Sequence, residues 1–314
     1  MTTTSKVRAS GLPGAPPLPK RHKGGGTWAA WYLVAPALLL LAAVIGYPLV
    51  KAIYLSLFSD TIGGTSEFIG LGNYRTALTG DGAGDFWSAL RVTGLFTFFS
   101  VALEVAIGLA MALVMHRAFR GRGLVRASVL VPWAIPTAVT SVLWRWMLQP
   151  EGIVNHLTGG STLWTGSQWP SRAAIVIADT WKTSPFLALL ILAGLQLIPD
   201  ELYEAARVDG AGAWRRFRSV TLPLLMPSLM VAVLFRLLDA LRIYDLPQLL
   251  TGGANGTTTL SMLVVQSSIQ QTKFGYGSAL STLTFLIIFG VALVFIRFMG
   301  TSLLPADDEE GRTA

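Results

Sequence analysis

Six long apolar runs constrain this chain more than any motif in it. A helix needs about 20 predominantly apolar residues to cross a bilayer. Runs of that order lie at Trp28–Phe58, Trp87–Met115, Val125–Leu148, Ala173–Ile198, Leu224–Leu246 and Ser278–Met299. The expected fold is therefore all-α, a polytopic membrane protein with six transmembrane helices. Composition agrees: 52% of the residues are hydrophobic and 13% charged, against about a quarter charged in soluble proteins. The first run is too long for the core of a signal peptide, about 7–15 residues. It predicts an uncleaved helix interrupted by Pro36 and Pro48. Residues 1–27 are rich in Gly, Pro, Thr and Lys without apolar periodicity, which predicts a disordered arm. Residues 301–314 form an acidic tail containing "PADDEEGRTA".

Charge sets the orientation. With the N-terminus inside, segments 1–27, 116–126, 199–222 and 297–314 face the cytoplasm and hold 15 Lys and Arg. The loops on the other side hold three: Arg75, Arg172 and Lys273. Lys and Arg collect on the cytoplasmic side, so both termini are expected there. The net charge of +7 thus needs no nucleic-acid partner. There is no cysteine, which removes disulfides and thiolate chemistry. His22, His116 and His156 are far apart, so neither a metal site nor a catalytic site is expected. No Gly-Lys-Ser/Thr follows a Gly-rich loop, so the chain has no P-loop for ATP. On the outer side, Leu260–Ile269 is apolar but too short to span. It predicts an interfacial helix or a re-entrant piece.

One cytoplasmic stretch, "ELYEAARVDGAGAWRRFRSVTLP" (201–223), interrupts the apolar pattern. Asp200 and Glu201 suit the positive end of a helix, where Asp200 can cap free amides. Leu202, Ala205 and Ala206 then form a narrow apolar face. Gly210, preceded by Asp209, suits a left-handed helix end. A second helix is expected from Ala213, with Trp214 and Phe217 among Arg215, Arg216 and Arg218, before Pro223 opens the next span.

Glu204-Ala205-Ala206, Asp209-Gly210-Ala211, Phe217 and Leu222-Pro223 resemble the EAA signature of binding-protein-dependent ABC importer permeases. "WKTSPFLALLILAGLQLIPDELYEAARVDGA" (181–211), "FIGLGNYRTAL" (68–78), "LDALRIYDLPQLLTGG" (238–253) and "GYGSALSTLTF" (275–285) resemble its carbohydrate branch. The first permease of maltose-, trehalose- and glycerol-phosphate-type systems is the nearest pattern. The similarity covers about residues 28–300. It implies a type I permease domain with a first helix at 28–58 and a five-helix core at 87–299. The loop 199–222 would carry the coupling helix. Glu204, Ala205, Ala206, Asp209, Gly210 and Ala211 would seat it in a cytoplasmic ATPase subunit. Implied partners are a second, homologous permease, two ATPase subunits that bind ATP and Mg, and an extracytoplasmic sugar-binding protein. The chain itself would bind no cofactor, and the location would be a bacterial plasma (inner) membrane. Gly212 departs from the family's frequent Ser, so the second helix is expected to lack a side-chain cap.

Charges at bilayer depth are functional hypotheses by default. The fourth span carries Asp179 and Lys182 beside Trp181, and the fifth carries Arg236, Asp239, Arg242 and Asp245 at steps of three. Glu104 sits in the second span without an evident partner. Two readings are open for Asp179, Trp181, Lys182, Arg236, Asp239 and Tyr244. The charges neutralise one another and join helices, or the residues line a hydrated pathway for a sugar. Lys51, Arg91 and Arg145 are expected to snorkel, and Trp144 and Trp146 to lie near the outer interface. A permease for glycerol phosphate or another solute stays open, as does, less naturally, a self-contained secondary carrier. An enzyme lacks any convergent nucleophile or metal set.

Overall fold

The structure is a computed structural model and describes residues 26–60 and 66–303. Most of the expected arm and tail, residues 1–25 and 304–314, lies outside that range. The chain divides into a unit ending at Lys51 and a second beginning at Ala52. From the first, α1 (Gly26–Leu41) passes through a π-helical turn (Ala42–Gly46) into α2 (Tyr47–Leu55), which crosses that division. The result is one apolar helix of 25 residues over Trp31–Leu55. The expected interruption at Pro36 and Pro48 is not seen: Pro36 lies inside α1 and the helix runs on past Pro48.

At the centre of the second unit, α4 (Ala83–His116), α8 (Gln168–Leu195) and α11 (Leu222–Ala240) pack on one another, preceded by the short α3 (Gly72–Leu78). Between α4 and α8 lie α5 (Arg122–Ala134), α6 (Thr137–Met147) and α7 (Ile153–Thr158). Between α8 and α11 lie α9 (Asp200–Val208) and α10 (Ala213–Arg216). The chain closes with α12 (Asp245–Thr251), α13 (Leu260–Val265) and α14 (Phe274–Leu303). The architecture is all-α, as the apolar runs predict. Among the described residues the only β feature is an isolated bridge between Phe58 and Phe68.

The most apolar window of α8 is 61% buried, against 33% for α4 and 28% for the helix containing α11. That makes α8 the axis around which the others pack. Small residues allow the approach. A Cβ on Gly108 of α4 would lie 3.3 Å from the Ala188 nitrogen and the Ser184 carbonyl of α8. A Cβ on Gly194 of α8 would lie 2.5 Å from Ser228 Cβ of α11. Below these contacts Met115, Leu187, Ile191, Leu195, Leu225 and Leu229 form one apolar core. Toward the other end, Val92, Phe96, Trp144, Ile175 and Leu246 form a second. A third joins Phe86 and Ala89 of α4 to Leu260 of α13 and Leu280 of α14.

Two further spans differ from the sequence reading. The third is not one helix: α5 and α6 meet at 92° across Ile135-Pro136. Proline lacks the N–H that would continue the ladder. The fifth ends at Ala240, not Leu246, and at its start it has no break at Pro223. Instead α10 runs through a π-helical turn (Phe217–Thr221) into α11, giving a continuous helix over Ala213–Ala240. The segment expected as interfacial or re-entrant is α13, whose first turn is capped by Thr259 accepting from Met262 N. Leu260, Met262 and Leu263 are buried in it.

The Gly194–Ser228 contact yields a direct check. Overpacking a close helix crossing costs about 1–3 kcal/mol, so Gly194→Ala lowers the thermal unfolding midpoint of the detergent-solubilised protein by several degrees. Ser228→Gly added to it restores the midpoint. Gly290→Ala, where a Cβ meets open space, does not lower it.

Candidate functional site

Charges meet where α4, α8 and α11 cross. The Arg236 guanidinium of α11 uses all three nitrogens on carboxylates. Its Nε donates to Glu104 Oε2. Its Nη2 donates to Glu104 Oε1 at 2.9 Å and to Asp179 Oδ2 at 2.5 Å. Its Nη1 donates to Asp239 Oδ2 at 2.8 Å, one helical turn along α11. Thr183 Oγ1 adds a donor to Glu104 Oε1 at 2.5 Å. Arg236, Glu104 and Asp179 are buried at 2%, 0% and 6% exposure. An ion inside an apolar bundle is tolerated only when paired and hydrogen-bonded, and this planar fork does both for two carboxylates at once. Glu104 is about 18 Å from the His116 end of α4, and Asp179 about 17 Å from the Gln168 end of α8, at 1.5 Å per residue. The cluster lies near mid-depth.

Of the six residues considered for a pathway, Arg236 and Asp179 are the two that are ion-paired across helices and buried. Asp239 differs: one oxygen is held by Arg236, yet 65% of its side chain is exposed. Lys182 is half-buried, and its Nζ donates to Ile135 O at 2.6 Å, the carbonyl at the end of α5. Trp181 packs edge-on against Trp144 of α6 with ring centroids 6.0 Å apart. Trp144 is buried, whereas Trp146 is 63% exposed. Tyr244 is half-buried at the N-cap of α12. Arg242 and Asp245 do not extend the alternating ladder, because α11 has ended before them and Asp245 opens α12. Arg145 donates to Leu249 O, and Arg91 Nε to Trp87 O at 3.2 Å.

Glu104 and Thr183 belong to the site although the sequence reading left them without a role. A signal was available. Thr93, Thr97, Ser100 and Glu104 follow steps of four, three and four, one face of a helix, and all four are buried. Among the described residues, Thr97, Thr140 and Thr180 hydroxyls and Trp144 Nε1 are buried without a protein hydrogen-bond partner. Such groups call for ordered water.

At the His116 end the polar interlude forms an elbow. Pro199, not Asp200, is the N-cap of α9, and no side-chain cap bond forms. Asp200 instead lies in the first turn, favourable to the helix dipole. The C-terminus is a Schellman arrangement: Gly210 N donates to Arg207 O at 3.0 Å and Ala211 N to Ala206 O at 2.9 Å. Gly210 has φ +75° there, a conformation that glycine adopts without strain. Asp209 is the C-cap. As Gly212 suggested, α10 starts without a side-chain cap. Glu204 is 69% exposed and only loosely paired with Arg207 at 3.9 Å. Ala205 is exposed and Ala206 half-buried. The elbow is tied to the bundle by Tyr203. Its ring packs on the Leu195–Leu225 core, and its hydroxyl shares a hydrogen bond with Thr221 at 3.2 Å.

A bundle of membrane-crossing helices with ions joining it at mid-depth, and an exposed polar elbow at one end, defines a membrane permease subunit. The chain belongs to the family described as binding-protein-dependent transport system inner membrane component, which matches residues 104–303. It is 44% identical over 286 residues to the trehalose transport system permease protein SugA of Mycobacterium tuberculosis, covering 90% of this chain and 92% of that one. It is 41% identical over 275 residues to the trehalose/maltose transport system permease protein MalF of Thermococcus litoralis, covering 85% and 92%. It is also 41% identical to the sulfoquinovosyl glycerol transport system permease protein SmoG of Agrobacterium fabrum, covering 88% and 92%. Its fold matches a chain of the bacterial alginate ABC transporter solved with an alginate pentasaccharide-bound periplasmic protein. The TM-score is 0.75 at 19% identity, over 85% of this chain and 92% of that one.

The ion cluster makes its own prediction. Arg236→Met leaves Glu104 and Asp179 buried and unpaired, which costs about 3–5 kcal/mol. The expected result is loss of folded protein in size-exclusion profiles. Adding Glu104→Gln and Asp179→Asn to it recovers the monodisperse fraction.

Proposed function

We propose that this chain is one permease subunit of an ATP-driven sugar importer. A second, homologous permease completes the pathway, and two cytoplasmic ATPase subunits hold ATP and Mg and perform the hydrolysis. An extracytoplasmic binding protein delivers the sugar. The names of relatives at 41–44% identity over most of the chain support the sugar class. The observation that carries the mechanism is the elbow. Glu204 and Ala205 face outward from α9 while Tyr203 anchors it to the core of α8 and α11. A load on that surface passes into the bundle without a flexible joint.

In this reading Glu204 pairs with a cation of the ATPase, and Ala205 and Ala206 permit close approach. Asp209, Gly210 and Ala211 hold the turn. The positive-inside bias puts both termini and the elbow on the cytoplasmic side of the inner membrane. ATP-driven approach of the ATPase pair moves the two elbows together, and the paired permeases exchange outward for inward access.

The pathway side follows from exposure. Asp239 and Lys182 lie near mid-depth yet are incompletely covered by this chain. A charge cannot face hydrocarbon without a cost of several kcal/mol. This face therefore borders water, the sugar or the second permease. A carboxylate with one oxygen fixed by Arg236 and the other free is a good acceptor for sugar hydroxyls, and Trp181 or Tyr244 offers a ring face. The relative named for sulfoquinovosyl glycerol favours including glycosyl glycerols among the substrates.

Reconstituted complex, with its ATPase measured over a panel of sugar-loaded binding proteins, tests the assignment. At least one disaccharide or glycoside is expected to stimulate hydrolysis; a flat response across the panel contradicts it. Glu204→Lys abolishes stimulation while the chain stays folded, and unchanged stimulation removes the coupling role. Asp239→Asn raises the half-saturating sugar level about tenfold with little change in maximal rate, as expected for one lost charge-assisted hydrogen bond. If only expression falls, Asp239 is structural.

A further inference from the structure

The bend between α5 and α6 is held by three side chains from one stretch of α8. Phe186 stacks on Trp133 of α5, with centroids 5.7 Å apart and planes at 18°. Trp181 meets Trp144 of α6. Between them, Lys182 Nζ donates to Ile135 O at the bend itself. The two aromatic contacts are apolar and tolerate sliding. The ammonium–carbonyl bond is directional, and it lies at the negative end of α5, where a cation is favoured.

The geometry explains why a cation is needed there. Ile135 is extended (ψ 130°), and Pro136 has no N–H to offer the chain before it. The ladder resumes only when Thr140 N donates to Pro136 O at 3.0 Å. At mid-depth a carbonyl freed by such a break needs a donor, and irregular backbone at this level occurs only where protein or a wet cavity satisfies it. On the other side, Lys182 sits beside the buried ion cluster. Asp179 and Thr183, three residues before it and one after, both belong to the Arg236–Glu104 cluster. Lys182 thus links a buried, multiply hydrogen-bonded ion cluster to a bent span. It has three N–H donors, one of which is on Ile135 O, and it is half-exposed.

We propose that Lys182 is the positioning residue for the α5–α6 bend and the group through which sugar occupancy reaches it. A sugar hydroxyl accepting from a remaining N–H draws the ammonium toward the pathway and loosens its hold on Ile135 O, which shifts the bend angle. The occupancy half of this proposal rests on the sugar-importer reading, whereas the hold on the bend stands without it.

The full complex in nanodiscs tests both halves. The chain has no cysteine, so Val139→Cys in α6 and Ile177→Cys in α8, both exposed, take spin labels cleanly. Without sugar, Lys182→Met is expected to broaden the α6–α8 distance distribution, and Lys182→Arg to keep it narrow. With the trehalose-loaded binding protein, or the maltose-loaded one where trehalose is inert, wild type shifts its distance. Lys182→Met does not shift, and its half-saturating sugar level rises about tenfold, the loss of one charge-assisted hydrogen bond. A wild-type distribution in Lys182→Met overturns the hold. A broadened distribution with unchanged half-saturation overturns the occupancy link. If no sugar stimulates even the wild-type complex, the importer reading fails, and the sugar-free distances still decide the hold.

Discussion

One guanidinium with three carboxylates fixes the relative position of the three helices on which everything else is built. Arg236 reaches Glu104, 132 residues away in sequence, and Asp179, 57 residues away. Apolar packing alone lets helices slide, because leucine surfaces are interchangeable and lipid is as apolar as they are. A buried bidentate ion pair has one register. Breaking it strands charges in the bundle, so the register is enforced by the cost of every alternative. Of the three carboxylates, Asp239 is the one that remains exposed.

The two ends of the bundle are mechanically joined through that register. α8 leads into α9 across only four residues. α10 leads into α11 through a π-helical turn that keeps the helix unbroken over Ala213–Ala240. Tyr203 closes the triangle by packing on the core between α8 and α11. In the proposed importer, movement of the elbow would be passed to the helices that bear Asp179, Lys182, Arg236 and Asp239. In the proposed importer this is how work at the cytoplasmic face would change a site about 20 Å away along the helices.

Much of this was legible in the sequence, for physical reasons that can be named. The apolar runs required helices whatever they packed against, and Gly210 between two short polar helices required a left-handed turn. The charges at 179, 182, 236 and 239 announced a site at depth. The i,i+3 pair of Arg236 with Asp239 could be read from spacing, but the partners of Arg236 on other helices, 57 and 132 residues away, could not, because they depend on packing that no local pattern encodes. The bend was missed for a subtler reason. "VPWAIPTA" holds two prolines, and a helix tolerates the first, Pro132 inside α5, but not the second. At the second, Lys182 from α8 donates to the freed Ile135 carbonyl. The expected break at Pro223 failed for the opposite reason, since a π-helical turn just before it absorbs the missing donor.

In the proposed importer this chain moves sugar only as part of an ATP-driven complex. Uptake of labelled disaccharide into proteoliposomes tests this. Uptake is expected when the second permease, the ATPase pair, the loaded binding protein and ATP are all present. None is expected when this chain alone is given a proton or sodium gradient. Gradient-driven uptake by the chain alone would contradict it.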